Sequence, residues 1–195
     1  MPDHYAIFPR VVSSDNAVME TSSTGPGTVT YTVFYGGAQN AATVTFNGDY
    51  YASSGSSTIP NLFGPTGGNT GIVRASSTML AGAFLRQWSG TTNLGFWVPP
   101  STQSLGTVFR IPSSPNVTQA IVCIGNPGAS TVTASLYYGA SSTASVSQSI
   151  SPQSVKTIRL LQQSKAARVV ATGSVFVQLH VEANAELDVS FVLPG

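Results

Sequence analysis

Hydrophobic and polar residues alternate with a period of two along much of this 195-residue chain. The clearest run is Thr28–Tyr35, where Val29, Tyr31, Val33 and Tyr35 share one side and Thr28, Thr30, Thr32 and Phe34 the other. That period marks a half-buried antiparallel strand. Gly36-Gly37 behind it supply a turn that tolerates positive φ. Nearly the same phrase returns 103 residues later, with Val132, Ala134, Leu136 and Tyr138 alternating against Thr131, Thr133, Ser135 and Tyr137. The overlay needs no gap from Pro9 to Gly36. Pro9 falls on Pro112, Ala17 on Ala120, Gly25 on Gly128, and Tyr35-Gly36 on Tyr138-Gly139. Both halves also close alike, on "NLGFWVPP" and "LDVSFVLPG". A repeat of this length predicts two copies of one β domain, residues 1–100 and 101–195, joined near Pro99–Ser104.

Further strand patterns recur about every ten residues, as a sandwich requires. In the second half, "ARVVAT" and "VFVQLHV" read as two separate strands, and "LLQQSKAAR" (Leu160–Arg168) as one or two helical turns. The predicted fold class is all-β: two tandem antiparallel β-sandwich domains of Ig-like or jelly-roll type, related by internal duplication. The first copy carries a long Gly/Ser/Thr-rich stretch, Tyr50–Gly71. It reads either as an elaborated hairpin loop or as an exposed arm that makes contacts.

Composition sharpens this picture. Charged residues make up 8% of the chain, against roughly 25% in an ordinary soluble domain. Ser, Thr, Asn, Gln and Gly must therefore supply the polar surface, and a surface with so little repulsive charge packs readily against copies of itself. The net charge is +1, so no global field draws in nucleic acid or anionic membrane. No stretch reaches the roughly 20 apolar residues of a membrane-spanning helix. The N-terminus lacks the basic and apolar regions of a signal peptide. The expected location is an extracellular surface or a virion.

Candidate chemistry is sparse. The two histidines, His4 and His180, are far apart, and His180 reads as an outward strand residue opposite Val177, Leu179 and Val181. The single cysteine, Cys123, lies in the apolar run "AIVCIG" and reads as a buried, inert thiol. Glu182, Glu186 and Asp188 lack the spacing of a calcium loop. "GPTGGNTG" lacks the Lys-Ser/Thr of a phosphate cradle. Lys156, Arg159, Lys165 and Arg168 are the one basic cluster, read as solvated charges or as an ionic contact. Asn116-Val117-Thr118 is a glycosylation sequon. No catalytic, metal or cofactor set emerges. What remains is aromatic: Tyr50, Tyr51, Trp88 and Trp97 are candidates to stack on sugars or to fill an intersubunit pocket. The parities of Phe96 and Trp97 differ, so one of them should be buried.

The order "FP … NPG … TVT-x-x-x-YYG … SPQSVKTIRL … ATGSV … VLP" resembles the Ig-like β-sandwich repeats found in tandem in bacterial surface and secreted proteins. It is similar, more loosely, to the sensory rhodopsin transducer sandwiches, which are small, all-β and oligomeric. The resemblance covers residues 108–194 well and 5–100 poorly, where "STGPG" stands for "NPG". These motifs are turn and strand grammar, so they bear on fold more than function. The expectation is a non-enzymatic structural protein, an oligomeric building block of a virion or bacterial surface whose partners are itself or other coat proteins. The alternative is an adhesion module that binds glycans or a protein through loop aromatics.

Overall fold

The computed structural model describes residues 3–11, 16–35, 38–54, 69–89, 92–115, 117–183 and 186–195. The chain divides into two compact units, Met1–Thr102 and Gln103–Gly195, against the expected break after residue 100. A four-residue helix, α1 (Ser101–Ser104), sits at that division. No helix among the described residues is long and apolar enough to cross a membrane.

Among its described residues the first unit has eight strands: β1 (His4–Val11), β2 (Asn16–Ser23), β3 (Thr28–Tyr35), β4 (Ala38–Thr45), β5 (Tyr51–Ser53), β6 (Asn69–Ser76), β7 (Leu80–Ser89) and β8 (Thr92–Val98). They form two four-stranded sheets, ordered β1-β6-β3-β4 and β5-β2-β7-β8. Every pairing is antiparallel. Val29, Tyr31 and Val33 of one sheet and Met19, Leu85 and Val98 of the other are buried. Tyr31 clasps the two layers. Its hydroxyl lies 2.8 Å from Thr21 Oγ1 and donates to the Ala52 carbonyl at 3.3 Å. Burial raises its ionisation to about 12. The alternation in β3 is less clean than the sequence suggests, because Thr32 and Phe34 are buried as well.

The second unit contains β9 (Gly106–Ile111), β10 (Gln119–Asn126), β11 (Val132–Tyr138), β12 (Val146–Ile150), β13 (Ser154–Arg159), β14 (Ala167–Ala183) and β15 (Glu186–Val192). The two expected strands after Arg168 are one 17-residue strand, β14. Its first part pairs with β9 and β11, its last part with β10 and β15. One strand thus serves both layers, and the register shifts between Val170 and Val175. Gly173 lies in that shift, where a Cβ would come within 2.8 Å of Val132 Cγ1, so the crossing needs a residue without a side chain. A single core draws Phe109, Leu136, Ile150 and Val169 from one layer and Val122, Ile124, Val177 and Val192 from the other. The two layers form a β-sandwich. The expected helix over Leu160–Arg168 is absent. Bend and turn lead instead into β14 at Ala167, because Leu160 is drawn into the core and Ala167 onto the sheet.

Asn126 shows how a short motif holds the second unit. Its Oδ1 accepts from the Gly128 amide at 3.0 Å, closing the Asn-Pro-Gly turn. Its Nδ2 donates to the carbonyls of Ser130, Ile150 and Ser151 at 2.8–3.1 Å. The side chain is fully buried and ties the end of β10 to the end of β12.

His180 departs from expectation. It does lie on the face opposite Val177 and Leu179, but that face is buried too. Its cross-strand neighbours are Ile121 and Val189, and Phe176 and Cys123 share the same side. A sheet apolar on both faces has no outward position for an imidazole. Burial pulls its pKa down to about 4. His4 is a buried residue of β1 whose Nδ1–H donates to the Val98 carbonyl at 2.7 Å. Its pKa is also lowered by burial.

Replacing Asn126 with Ala takes a partner from three carbonyls and an amide and should cost about 2–3 kcal/mol. Urea unfolding at neutral pH measures it, and a loss below about 0.5 kcal/mol would contradict the clasp. For His180, the unfolded imidazole binds a proton near pH 6.5 and the folded one only near pH 4. The unfolded chain therefore holds the extra proton between those values, so stability falls as pH drops through that window and levels off below it. The loss should be on the order of 3 kcal/mol. Unfolding midpoints measured across this range should show the slope, and His180→Gln should remove most of it.

Candidate functional site: an aromatic groove on the first unit

The sheet β5-β2-β7-β8 turns Met19, Leu85 and Val98 into the core, so the intervening positions face outward. Register fixes how these line up. Ser53, Glu20, Phe84 and Trp97 stand opposite one another in a row across all four strands. In the adjacent row Tyr51 pairs with Ser22, and Ser22 with Gly82. At the usual strand spacing the two edges of this face are about 14 Å apart. Between them lies a groove of about 270 Å³. Tyr51 stands at one side, Trp97 at the other, and Glu20, Ser22, Gly82 and Phe84 lie between.

Trp97 is 74% exposed, while its neighbour Phe96 is buried. The indole meets the Phe84 ring edge to face, with centroids 5.1 Å apart and planes at 71°. Such a contact favours one orientation of an exposed ring. Gly82 lies on the floor, where a Cβ would stand 3.3 Å from Ser22 Oγ. Glu20 faces the Arg86 guanidinium at 3.9 Å, so the charges beside the groove offset each other. The Tyr51 hydroxyl is raised above the ordinary tyrosine range. Burial is the main cause, partly offset by its hydrogen bond with Ser53, and the Glu20 charge adds to it.

Of the four aromatic candidates, the structure brings Tyr51 and Trp97 into this groove. Tyr50 is exposed but does not line it. It occupies a left-handed conformation, φ 58°, in the turn where Asn47 Oδ1 accepts from the Asp49 and Tyr51 amides. The backbone of Trp88 lies near the end of β7, opposite Asn16 and Asn93; its side chain is outside the described residues. Residues 55–68 of the expected arm are also outside them. Tyr51–Ser53 form β5, and Ala52 is buried.

The sequence reading missed Glu20, Gly82, Phe84 and Arg86. One signal was available. A two-residue connection between Ser89 and Thr92 sets the β7–β8 register, and counting back along that hairpin places Phe84 opposite Trp97.

Elsewhere, Cys123 is buried, and its thiol is pushed up to about 12 by that burial. The basic cluster is dispersed. Lys156 and Arg159 lie on β13. Arg168 on β14 faces Arg110 of β9, stacks 4.6 Å over the Tyr137 ring and donates to the Ser141 carbonyl at 2.8 Å. Among the described residues, no group of three or more His, Cys, Asp or Glu side chains could hold a metal. Asp188 is exposed on β15; the side chains of Glu182 and Glu186 are outside the described residues.

Compared with known proteins, the chain matches no family model, no curated protein and no solved structure.

Proposed function

We propose that this protein is a non-enzymatic building block whose copies join edge to edge in a virion coat or a bacterial surface layer. The observation that carries the reading is β4. It is the edge of its sheet, eight residues long, with the sequence AQNAATVT. It contains no charge and no proline, and all its residues are exposed except Ala42 and Val44, which are half-buried. An edge strand of that kind turns one flank of its backbone away from the ladder, and proteins that stay single blunt such edges with charge, above all Lys. The first hundred residues contain no Lys. The corresponding edge of the second unit, β12 (VSQSI), is uncharged as well.

The tandem-duplication reading belongs to the same proposal. Counting β14 as the counterpart of β6 and β7 run together, the second unit follows the order β9-β14-β11-β12 and β13-β10-β14-β15. Strand for strand this parallels β1-β6-β3-β4 and β5-β2-β7-β8. Tyr35 and Tyr138 end β3 and β11, the strands at matching places. The Ig-like part draws support from the β2–β5 and β3–β6 neighbours, which match the B–E and C–F pairs of an immunoglobulin sandwich. The placing of β1 on β6 and of β7 on β2 is this chain's own. Two like units with like open edges would let one copy continue its neighbour's sheet in either direction.

The test is to charge the edge. Sedimentation of the wild-type chain at micromolar concentration should show a species larger than one chain. Gln39→Lys with Ala41→Lys, both at exposed positions, should weaken that association at least about tenfold, because like charges then meet across the pairing. A wild-type monomer, or unchanged association in the double variant, would contradict the proposal.

A further inference from the structure

We propose that the groove between Tyr51 and Trp97 binds one ring of a neutral saccharide, stacked on the indole. This stands apart from the assembly reading, since the groove lies on the outer face of β5-β2-β7-β8 and β4 is the edge of the other sheet. Trp97 is 74% exposed, an unusual cost in water for so large a ring. Its edge-to-face contact with Phe84 favours one ring orientation before any ligand arrives. A pyranose has the complementary form, with an apolar C–H face for the ring and hydroxyls around its rim. The rim finds partners here: the Glu20 carboxylate, the Ser22 hydroxyl and the Tyr51 hydroxyl line the same groove.

Charge narrows the ligand class. Glu20 is offset by Arg86 at 3.9 Å, so the wall favours neither an anionic nor a cationic sugar. Size narrows it further. A groove of about 270 Å³ is at the lower limit of small-molecule sites, roughly 300 Å³, and accommodates a single ring with the rest of the glycan in solvent. An apolar side chain from a partner protein would fit less well, because it would cover the Glu20 and Tyr51 oxygens without bonding them.

The experiment titrates the full chain with neutral tetrasaccharides of glucose, xylose and N-acetylglucosamine, followed by tryptophan fluorescence and calorimetry. One of them should saturate with a Kd between about 10 µM and 1 mM. Trp97→Ala and Tyr51→Ala should each weaken it at least about tenfold, and Glu20→Gln several-fold. Circular dichroism checks that the variants fold, and Trp97→Phe, which keeps a platform, should retain part of the affinity. Sedimentation should be unchanged by Trp97→Ala, while the Gln39→Lys, Ala41→Lys pair should leave saccharide binding intact. No saturation by about 10 mM, equal binding by Trp97→Ala, tighter binding of a sulfated analogue, or loss of assembly in Trp97→Ala would each overturn the proposal.

Discussion

A β-strand carries hydrogen-bonding groups on both flanks, and a four-stranded sheet leaves two of its flanks open. Each open flank must be hydrated, covered or paired, and the choice governs what the molecule does in company. This chain treats its edges unequally. Strand β13 carries Lys156 and Arg159, β15 carries Glu186 and Asp188, and β9 carries Arg110. Strand β5 is only three residues long. Strand β4 has length, exposure and no charge together. It shares the lack of charge with the edges β8 and β12, and the assembly reading rests on its outward flank.

The same scarcity of charge shapes the interior. Ion pairs do little here. Arg74–Asp3 and Arg86–Glu20 each stand at 3.9 Å and are partly exposed, where such pairs contribute about 0–1 kcal/mol. Uncharged groups do the joining instead. Tyr31 reaches from one layer to Thr21 and Ala52 of the other, and Asn126 gathers three carbonyls and an amide. A buried polar group with all its bonds made fixes one packing among several that hydrophobic burial alone would allow. A neutral polar surface over such a core can meet another copy without paying to remove charges from water.

Much of the fold was legible in the sequence because alternation and turn chemistry are local. The Thr28–Tyr35 phrase and its later counterpart are strands β3 and β11, and Asn126-Pro127-Gly128 is a turn. What stayed hidden depends on contacts distant along the chain. His180 has outward parity, but its sheet is apolar on both sides, and only cross-strand neighbours such as Ile121 and Val189 reveal that. The helical composition of Leu160–Arg168 gave way to the pull of Leu160 into the core. The union of two expected strands into β14 turns on Gly173 and its distance to Val132. In the groove, Tyr51 and Trp97 were visible as aromatics on strands or turns. Glu20 was not, because its place beside them arises from pairing β2 with β5 and β7.

The measurement nearest to the central claim is amide hydrogen exchange along β4 as a function of protein concentration. If copies join through this edge, alternate amides within Ala38–Thr45, those turned away from β3, should exchange freely at about 1 µM and become protected at about 100 µM, while amides of β3 change little. Assembly that grows with concentration while the β4 amides stay equally fast would contradict the account.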